Sequence, residues 1–264
     1  MTENSSTLAE RADALRALHK PGDPLVLPNA WDAGSARAVA AAGFPVVATS
    51  SAAVAESLGY ADGEATPVDE MFAAVARIAR AVPVPVTADL ERGYGLSPAE
   101  LVERMLAAGV VGCNLEDSDP RTGALYDAEE QADLLAAVRA AADAAGVPLV
   151  LNARIDLYLR EAGDPAGRTA EAVHRARRYR AAGADCVYPI FLTDPEQIAE
   201  FVAGADAPVN LVFRPDAPSL AELARLGAAR VSYGAGPYAA VKARTAALLD
   251  AVRAGKNPYA PPSA

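Results

Sequence analysis

The sequence is poor in the residues that build disulfide frameworks and zinc sites. Only two cysteines and two histidines occur among its 264 residues. Cys113 and Cys186 each lie inside an apolar run with no metal-ligand spacing around them, which predicts reduced cysteines that fill the core. His19 and His174 fall on predicted helices away from the strand ends, so we expect both on the surface.

Basic clusters and long apolar runs are also missing. The chain has 24 basic and 34 acidic residues, a formal charge of −10, and its Lys and Arg are scattered, which argues against nucleic-acid binding. Its alanine-rich runs are broken by Gly, Pro or charge before the roughly 18 residues of a membrane span. The first residues show no basic segment followed by an apolar one. We therefore expect a cytoplasmic protein with neither a nucleic-acid nor a membrane partner.

What the sequence does contain is an alternation of short apolar segments, several rich in Val, with alanine-rich helical stretches. Eight strands are predicted at Leu25–Ala30, Val46–Ser51, Val84–Leu90, Gly112–Asp117, Leu149–Ile155, Cys186–Phe191, Val209–Phe213 and Arg230–Gly234. Eight helices are predicted to follow them at Ala33–Ala42, Val68–Ala81, Pro98–Ala108, Ala128–Ala145, Ala166–Ala182, Asp194–Val202, Ser219–Leu226 and Pro237–Ala254.

Eight such units predict an α/β fold, a (β/α)8 TIM barrel, because this number closes a barrel of about 250 residues. A doubly wound open sheet is the alternative, and the absence of a G-x-G-x-x-G turn after the first strand disfavours it. We expect residues 1–264 to form one domain, with an additional N-terminal helix at Leu8–His19 and a proline-rich surface tail at 257–264.

Acidic residues gather at two predicted strand ends. Asp89 and Glu91 share a face by the period of two in a strand, and Glu116 closes the neighbouring strand. The working residues of such barrels lie at these ends, and three converging carboxylates need a cation. The pattern predicts a site for Mg²⁺, with Mn²⁺ possible, since both prefer oxygen ligands. The alternative is that Asp89 and Glu116 cap helices while Glu91 forms an exposed ion pair.

The fifth strand predicts a substrate-binding arginine. Asn152, Arg154 and Asp156 share one face, and a guanidinium pointing into an acidic barrel mouth suits a substrate carboxylate. The alternative is an internal salt bridge from Arg154 to Asp156 or Glu116.

Other strand ends offer weaker candidates. Ser50 and Ser51 can present backbone N–H groups to a developing oxyanion, and Asp62 can orient water at the metal. Helix capping is the alternative for these. Trp31 follows the first strand, where it either forms a wall of the pocket or packs in the core.

Taken together, several motifs resemble the isocitrate lyase/phosphoenolpyruvate mutase superfamily over about residues 24–250. They are the run from Leu27 to Arg37, Ser50-Ser51 with Leu58-Gly59-Tyr60, Asp89 to Gly95, Asn114 to Asp117, and Asn152-Ala153-Arg154.

The resemblance implies a barrel enzyme that binds Mg²⁺ and a 2-oxo acid or its enolate. By this resemblance, Asp89, Glu91 and Glu116 match the acidic residues that bind the metal directly or through water, and Asp62 matches a further acid near the metal. Arg154 matches the carboxylate-binding arginine, and the segment Ser50, Ser51 and Ala52 binds substrate oxygens through its backbone. The resemblance also implies a homo-oligomer, a dimer or tetramer, in which the C-terminal helix is exchanged between subunits.

Two departures from the family pattern narrow the reaction. The lyases carry Lys-Cys-Gly-His on the loop after the fourth strand, whereas this chain has no Cys or His between 117 and 125. The mutase carries Lys-Thr-Asn there and a histidine after the sixth strand, where this chain has Arg121-Thr122-Gly123 and Ile190-Phe191. The chain therefore lacks residues expected for isocitrate cleavage and residues expected for phosphoryl migration. Arg121 either closes over an anionic substrate or is an exposed loop arginine.

We therefore expect a Mg²⁺-dependent carbon–carbon lyase or decarboxylase acting through an enolate on a small 2-oxo or 2-hydroxy di- or tricarboxylic acid, with Tyr94 as a candidate proton carrier. The alternatives are a phosphonopyruvate-type P–C bond enzyme, mutase or hydrolase, and a non-catalytic 2-oxo acid binding protein. Substrate choice is expected to come from strand-end residues that include Tyr188, Phe191, Asn210 and Arg214.

Overall fold

The structure, a computed structural model, describes residues 7–259 as ten helices and nine strands. The helices are α1 Leu8–Ala17, α2 Ala33–Ala41, α3 Ser51–Leu58, α4 Val68–Arg80, α5 Pro98–Ala108, α6 Ala128–Ala144, α7 Arg168–Ala181, α8 Pro195–Ala205, α9 Leu220–Arg225 and α10 Gly236–Arg253. The strands are β1 Leu25–Leu27, β2 Asn29–Ala30, β3 Val47–Thr49, β4 Val86–Asp89, β5 Gly112–Glu116, β6 Val150–Ile155, β7 Cys186–Pro189, β8 Asn210–Val212 and β9 Arg230–Ser232.

Every pair of neighbouring strands is parallel, as predicted. One sheet runs β1-β9-β8 and the other runs β2-β3-β4-β5-β6-β7. β1 and β2 are consecutive in the chain, and a bridge between Val187 and Val209 joins β7 to the start of β8. The two sheets thus join at both edges and close around one axis, so that all strand carboxyl ends open at one mouth.

Two local features depart from the prediction. The first predicted strand is divided at Pro28, which has no N–H to donate to a ladder. The second predicted strand ends two residues early, because Ser50 caps α3, a helix that the prediction missed; its hydroxyl accepts from Ala53 N–H. The capped end of α3 therefore points into the barrel mouth.

Helix α1 closes the other end of the barrel. Its buried Ala12 and Leu15 pack on Leu25, Leu27 and Val150. Arg16 anchors the helix, with its Nε 2.8 Å from Asp185 Oδ1 and its Nη2 donating to Pro148 O. Helix α1 therefore covers the end of the barrel opposite the mouth.

His19 was predicted on the surface, and that prediction is wrong. The side chain is only 9% exposed, and its Nδ1 lies 2.9 Å from Leu15 O. The periodicity of α1 ends before this residue, so nothing in the sequence signals that the chain turns His19 beneath the barrel. Burial, with the nearby positive charge of Arg230, lowers the pKa of His19 from 6.5 to about 4. His174 is exposed as predicted.

The depressed pKa of His19 predicts acid-dependent stability. The unfolded chain takes up a proton as the pH falls through 6.5, whereas the folded chain does so only near pH 4. The contribution is present above pH 6.5, and about 3 kcal/mol is lost as the pH falls to 4. Urea unfolding at pH 7, 5.5 and 4 should show a smaller loss in His19→Gln than in the unaltered protein, with His174→Gln as the matched control. Parallel losses in all three proteins would contradict this account.

Helix α10 has no buried residue within the described chain. Val241, Leu249 and Val252 on this helix are 50%, 63% and 59% exposed. Residues 257–259 at the start of the predicted tail lie at the surface or close to it, and the rest of that tail lies outside the described residues. None of the helices in residues 7–259 is both long and apolar enough to span a membrane.

Candidate active site

A cavity of about 450 Å³ opens at the carboxyl ends of the strands. Predicted residues on its wall are Ser50, Ser51, Ala52, Asp62, Asp89 and Arg154. These residues come from segments far apart in sequence and meet because parallel strands place their carboxyl ends together. The cavity is thus where the sequence predicted chemistry.

Asp89, the last residue of β4, is held in place on three sides. Its Oδ2 accepts from the N–H and hydroxyl of Ser51 at 3.1 and 3.0 Å, and its Oδ1 accepts from Asn114 Nδ2 at 3.3 Å. Its own N–H donates to Thr49 Oγ1. Neutral donors orient this carboxylate, and within residues 7–259 no Lys, Arg or His forms an ion pair with it.

Glu91 lies behind Asp89 in a backbone conformation that few non-glycine residues adopt, with φ at +51°. Its Oε2 accepts from Glu64 N–H at 2.6 Å and its Oε1 from the Tyr94 hydroxyl at 2.7 Å. In return, Glu64 Oε1 accepts from Arg92 N–H and Tyr94 N–H. Glu64 and Tyr94 also have positive φ, so these interlocked bonds stabilise a strained loop at the mouth.

Burial raises the pKa of Glu91 to about 7, although the Tyr94 hydroxyl opposes the rise; Asp62 and Asp89 add to it. Burial and the Glu91 carboxylate also raise the pKa of Tyr94, so the phenol keeps its proton.

Arg154 connects two buried carboxylates. Its Nη1 lies 2.6 Å from Glu116 Oε2, and its Nε and Nη2 donate to the two oxygens of Asp156 at 2.7 and 3.1 Å. Burial raises the pKa of Glu116, and the Arg154 charge only partly offsets that rise. The predicted internal salt bridge is therefore present, while Arg154 also lines the cavity where a substrate carboxylate would lie.

The three carboxylates predicted as metal ligands do not form one ligand set. Within residues 7–259, no three His, Cys, Asp or Glu side chains are grouped closely enough to constitute a metal centre. Glu116 faces Arg154, and Glu91 faces the Glu64 amide and Tyr94. Only Asp89 of the three lines the cavity, where Asp62 accompanies it. Protein donors engage all three carboxylates, and their role at a metal, directly or through water, stays a prediction.

Asp62 supplies the second carboxylate of the cavity wall. Desolvation raises the pKa of Asp62, and the charge of Asp89 adds to the rise. A partial charge imbalance results: two wall carboxylates face the cavity, whereas the wall cation Arg154 is already shared between Glu116 and Asp156.

The first turn of α3 forms an adjacent part of the wall. Ser50 caps the helix and Ser51 bonds Asp89, as described above. The first backbone N–H groups of a helix have no partner within that helix. Ala52 on the cavity wall is therefore placed to offer its N–H to a substrate oxygen.

Of the other predicted residues, Tyr188, Phe191 and Arg214 also line the cavity, whereas Trp31, Asn210, Tyr94 and Arg121 do not. Trp31 packs edge-on against Tyr238 of α10, with ring centroids 5.2 Å apart. Asn210 is buried and bonds Ser232. Tyr94 and the exposed Arg121 border a neighbouring cavity instead. Their functional roles stay predictions.

The sequence analysis did not single out Asn114 or Arg230 as site residues. Asn114 Oδ1 accepts from Asn152 Nδ2 and Arg230 Nη2, at 2.8 and 3.3 Å, which orients the Asn114 amide to donate to Asp89. Arg230 is 1% exposed, and its Nε and Nη1 have no hydrogen-bond partner among the described residues. The sequence signal for Arg230 was its position in a predicted strand whose other residues include Val231 and Ser232, where a charged side chain is unusual.

Comparisons with known proteins agree on one family. The sequence profile of the phosphoenolpyruvate phosphomutase family matches residues 15–253. An uncharacterised protein of Mycobacterium tuberculosis is 37% identical over 92% of each chain. An oxaloacetate decarboxylase of Bradyrhizobium is 29% identical over 97% of this chain and 88% of its own.

Solved structures agree with the profile. A protein from Burkholderia cenocepacia provisionally assigned as a phosphonomutase superposes with a TM-score of 0.87 at 44% identity, covering 91% of this chain and 99% of its own. A 2,3-dimethylmalate lyase superposes with a TM-score of 0.81 at 28% identity, covering 96% of this chain and 90% of its own.

Proposed function

This chain belongs to the phosphoenolpyruvate phosphomutase/isocitrate lyase superfamily, and on that premise we propose that it is a Mg²⁺-dependent carbon–carbon lyase or decarboxylase. The substrate is a small 2-oxo or 2-hydroxy di- or tricarboxylic acid, and the reaction passes through an enolate. The observation that carries the proposal is the pair of cavity carboxylates, Asp62 and Asp89, beside the buried cation Arg154.

The residues present fit a magnesium ion. Mg²⁺ takes oxygen ligands, keeps several waters and is usually bound by one or two carboxylates. Asp89 and Asp62 would hold it at the wall, while Glu91 and Glu116 add negative charge behind them. Desolvation, with a smaller contribution from neighbouring carboxylates, raises the pKa of Asp62 and of Glu91, and a divalent cation would favour the charged forms of both. When bound, the ion draws electron density from the oxygens of a 2-oxo acid as its enolate forms.

The protein's own residues would bind and orient the substrate. Arg154 and the N–H of Ala52 lie where they can bind a carboxylate and stabilise developing charge in a fixed pocket. In decarboxylation, the electrons of the broken C–C bond pass to the 2-oxo acid and CO₂ leaves without a base. In retro-aldol cleavage, a hydroxyl proton must also be removed as the bond breaks. Asp62 faces the cavity and would accept that proton, and Tyr94, which keeps its own proton, would donate one to the enolate carbon.

A P–C bond enzyme remains the second candidate, because the matching profile and the Burkholderia structure carry phosphomutase descriptions. The loop at 117–125 and the Ile190-Phe191 pair lack the lysine, asparagine and histidine expected of the mutase. Release of inorganic phosphate from phosphonopyruvate would identify a hydrolase.

We also propose that the chain acts as one barrel domain in a homo-oligomer, a dimer or tetramer. The support is α10, whose exposed Val241, Leu249 and Val252 are the kind of apolar surface that another subunit covers. Exchange of this helix between subunits is part of the proposal.

Calorimetric titration with oxalate, a planar mimic of a 2-oxo acid enolate, tests the proposed site. We expect binding with Mg²⁺ and its loss with chelator, and no phosphate release from phosphonopyruvate. Oxalate binding that is indifferent to chelator would contradict the metal site. Metal-dependent binding with phosphate release would favour the P–C enzyme, and binding without turnover of any carboxylic acid would favour a binding protein.

A further inference from the structure

The cavity wall opposite the acidic residues is apolar. β8 lies across the ring of strands from β4, and the segment after it brings Val212, Phe213 and Pro215 to the cavity. Ile190 and Phe191 after β7 and Tyr233 after β9 extend the same surface. Phe213 and Tyr233 pack with ring centroids 5.3 Å apart. We call these six residues the apolar wall.

Phe191 is the most informative residue of the apolar wall. Among residues 7–259, five large apolar side chains are exposed, and Phe191, at 37%, is the one that lines this cavity. Its φ is +67°, a conformation that is strained for a bulky side chain. A strained, exposed phenyl ring costs stability, and such strain persists mainly at functional sites. The ring therefore has a role that packing of the free protein does not explain.

The cation beside Phe191 already has an aromatic and an acidic neighbour. Arg214 lies over the Phe191 ring, 3.9 Å from its centroid, and its Nε is 3.1 Å from Asp216 Oδ1. Arg154 is the other cation of the cavity, on the acidic side. The apolar end thus offers a ligand mainly aromatic and aliphatic carbon, and the Arg214 guanidinium there already contacts the Phe191 ring and Asp216, so a ligand carboxylate would have to compete with both.

From this geometry we propose that the substrate carries an uncharged alkyl or aryl group that lies against the apolar wall while its 2-oxo or 2-hydroxy acid head lies at Asp89 and Arg154. This deepens the proposed function and rests on it. A volume of about 450 Å³ exceeds what a three- or four-carbon acid fills and lies in the range of larger ligands. Any second carboxylate belongs at the Arg154 side.

Two 2-oxo acids with the same main-chain length test the proposal by calorimetry in Mg²⁺. 2-Oxo-4-methylpentanoate ends in a branched alkyl group and 2-oxoglutarate ends in a carboxylate. We expect the alkyl acid to bind at least tenfold more tightly, since each buried methyl or methylene group favours binding. Oxalate resembles only the 2-oxo acid head group, so its affinity measures binding at Asp89 and Arg154 without any contribution from the apolar wall.

Phe191→Gly is the variant of choice because glycine adopts a positive φ without strain, so the fold is retained. We expect it to lower the preference for the alkyl acid at least fivefold and to leave oxalate affinity within twofold. Tyr259→Ala, which removes an 86% exposed aromatic ring far from the cavity, is the control and should change neither.

The outcomes separate this inference from the proposed function. If 2-oxoglutarate binds more tightly than 2-oxo-4-methylpentanoate, or if Phe191→Gly keeps the preference for the alkyl acid, the substrate does not carry the proposed apolar group. Metal-dependent binding of oxalate would still support the proposed metal site in that case. Alkyl-acid binding that depends on Phe191 but not on Mg²⁺, with no oxalate binding, overturns the proposed function and leaves the apolar wall as a binding surface.

Discussion

Replacing Asp89 with asparagine should weaken the Mg²⁺-dependent binding of oxalate at least a hundredfold. The amide keeps the shape of the side chain but lacks the negative charge that neutral Ser51 and Asn114 now orient toward the cavity. Changing residues that merely support metal ligands costs 10- to 100-fold in affinity, and loss of a ligand charge should cost at least as much. Calorimetry with oxalate and Mg²⁺ measures the effect.

Asp206→Asn is the matched control for Asp89→Asn. Asp206 is exposed after α8 and has a positive φ, which asparagine tolerates. This control should bind oxalate like the unaltered protein. Affinity within threefold of normal in Asp89→Asn, in a variant with unchanged circular dichroism, would remove Asp89 from the metal site.

The second large effect concerns stability. Asp117→Ala should reduce the free energy of unfolding by about 3–5 kcal/mol, the usual consequence of leaving a buried charge without its partner. Asp117 is fully buried, and its Oδ2 accepts from Arg175 Nη1 and the Tyr179 hydroxyl at 3.0 and 2.7 Å. Its Oδ1 accepts from Asp156 N–H, which positions the partner of Arg154. Urea unfolding measures the loss.

Two further variants test whether the buried contacts of Asp117 account for this loss of stability. Asp143→Ala removes an exposed carboxylate 4.0 Å from Arg139 and should cost less than about 1 kcal/mol. Tyr179→Phe removes one hydrogen bond to Asp117 and should cost about 1 kcal/mol. A loss below about 1 kcal/mol in Asp117→Ala would mean that Arg175 finds other partners at little cost.

The period of two in strands and the common mouth of parallel strands were enough to predict that Asp89 and Arg154 share one cavity. These rules act through the backbone, which the apolar pattern of the sequence specifies. They could not predict which partner each side chain faces. Glu91 has a φ of +51° and contacts the Glu64 amide, and Glu116 is paired with the buried Arg154; neither contact follows from the period of two.

Residues buried by tertiary packing also escaped prediction. His19 follows a helix with an ordinary exposed pattern, and only the seal beneath the barrel buries it. The apolar wall likewise arises from three separate strand ends, so Phe213 and Tyr233 have no sequence signal that links them to Phe191. Local rules predict strand ends and caps, whereas the contents of a cavity depend on how distant segments meet.

The most direct test of the central claim is proton NMR of pyruvate in D₂O. An enzyme that stabilises a 2-oxo acid enolate at Asp89 should exchange the methyl protons of pyruvate for deuterium, whatever its natural substrate. We predict exchange with Mg²⁺, none above background with chelator, and none in Asp89→Asn. Exchange that persists with chelator, or the absence of exchange although Mg²⁺-dependent oxalate binding is intact, would contradict enolate chemistry at this site.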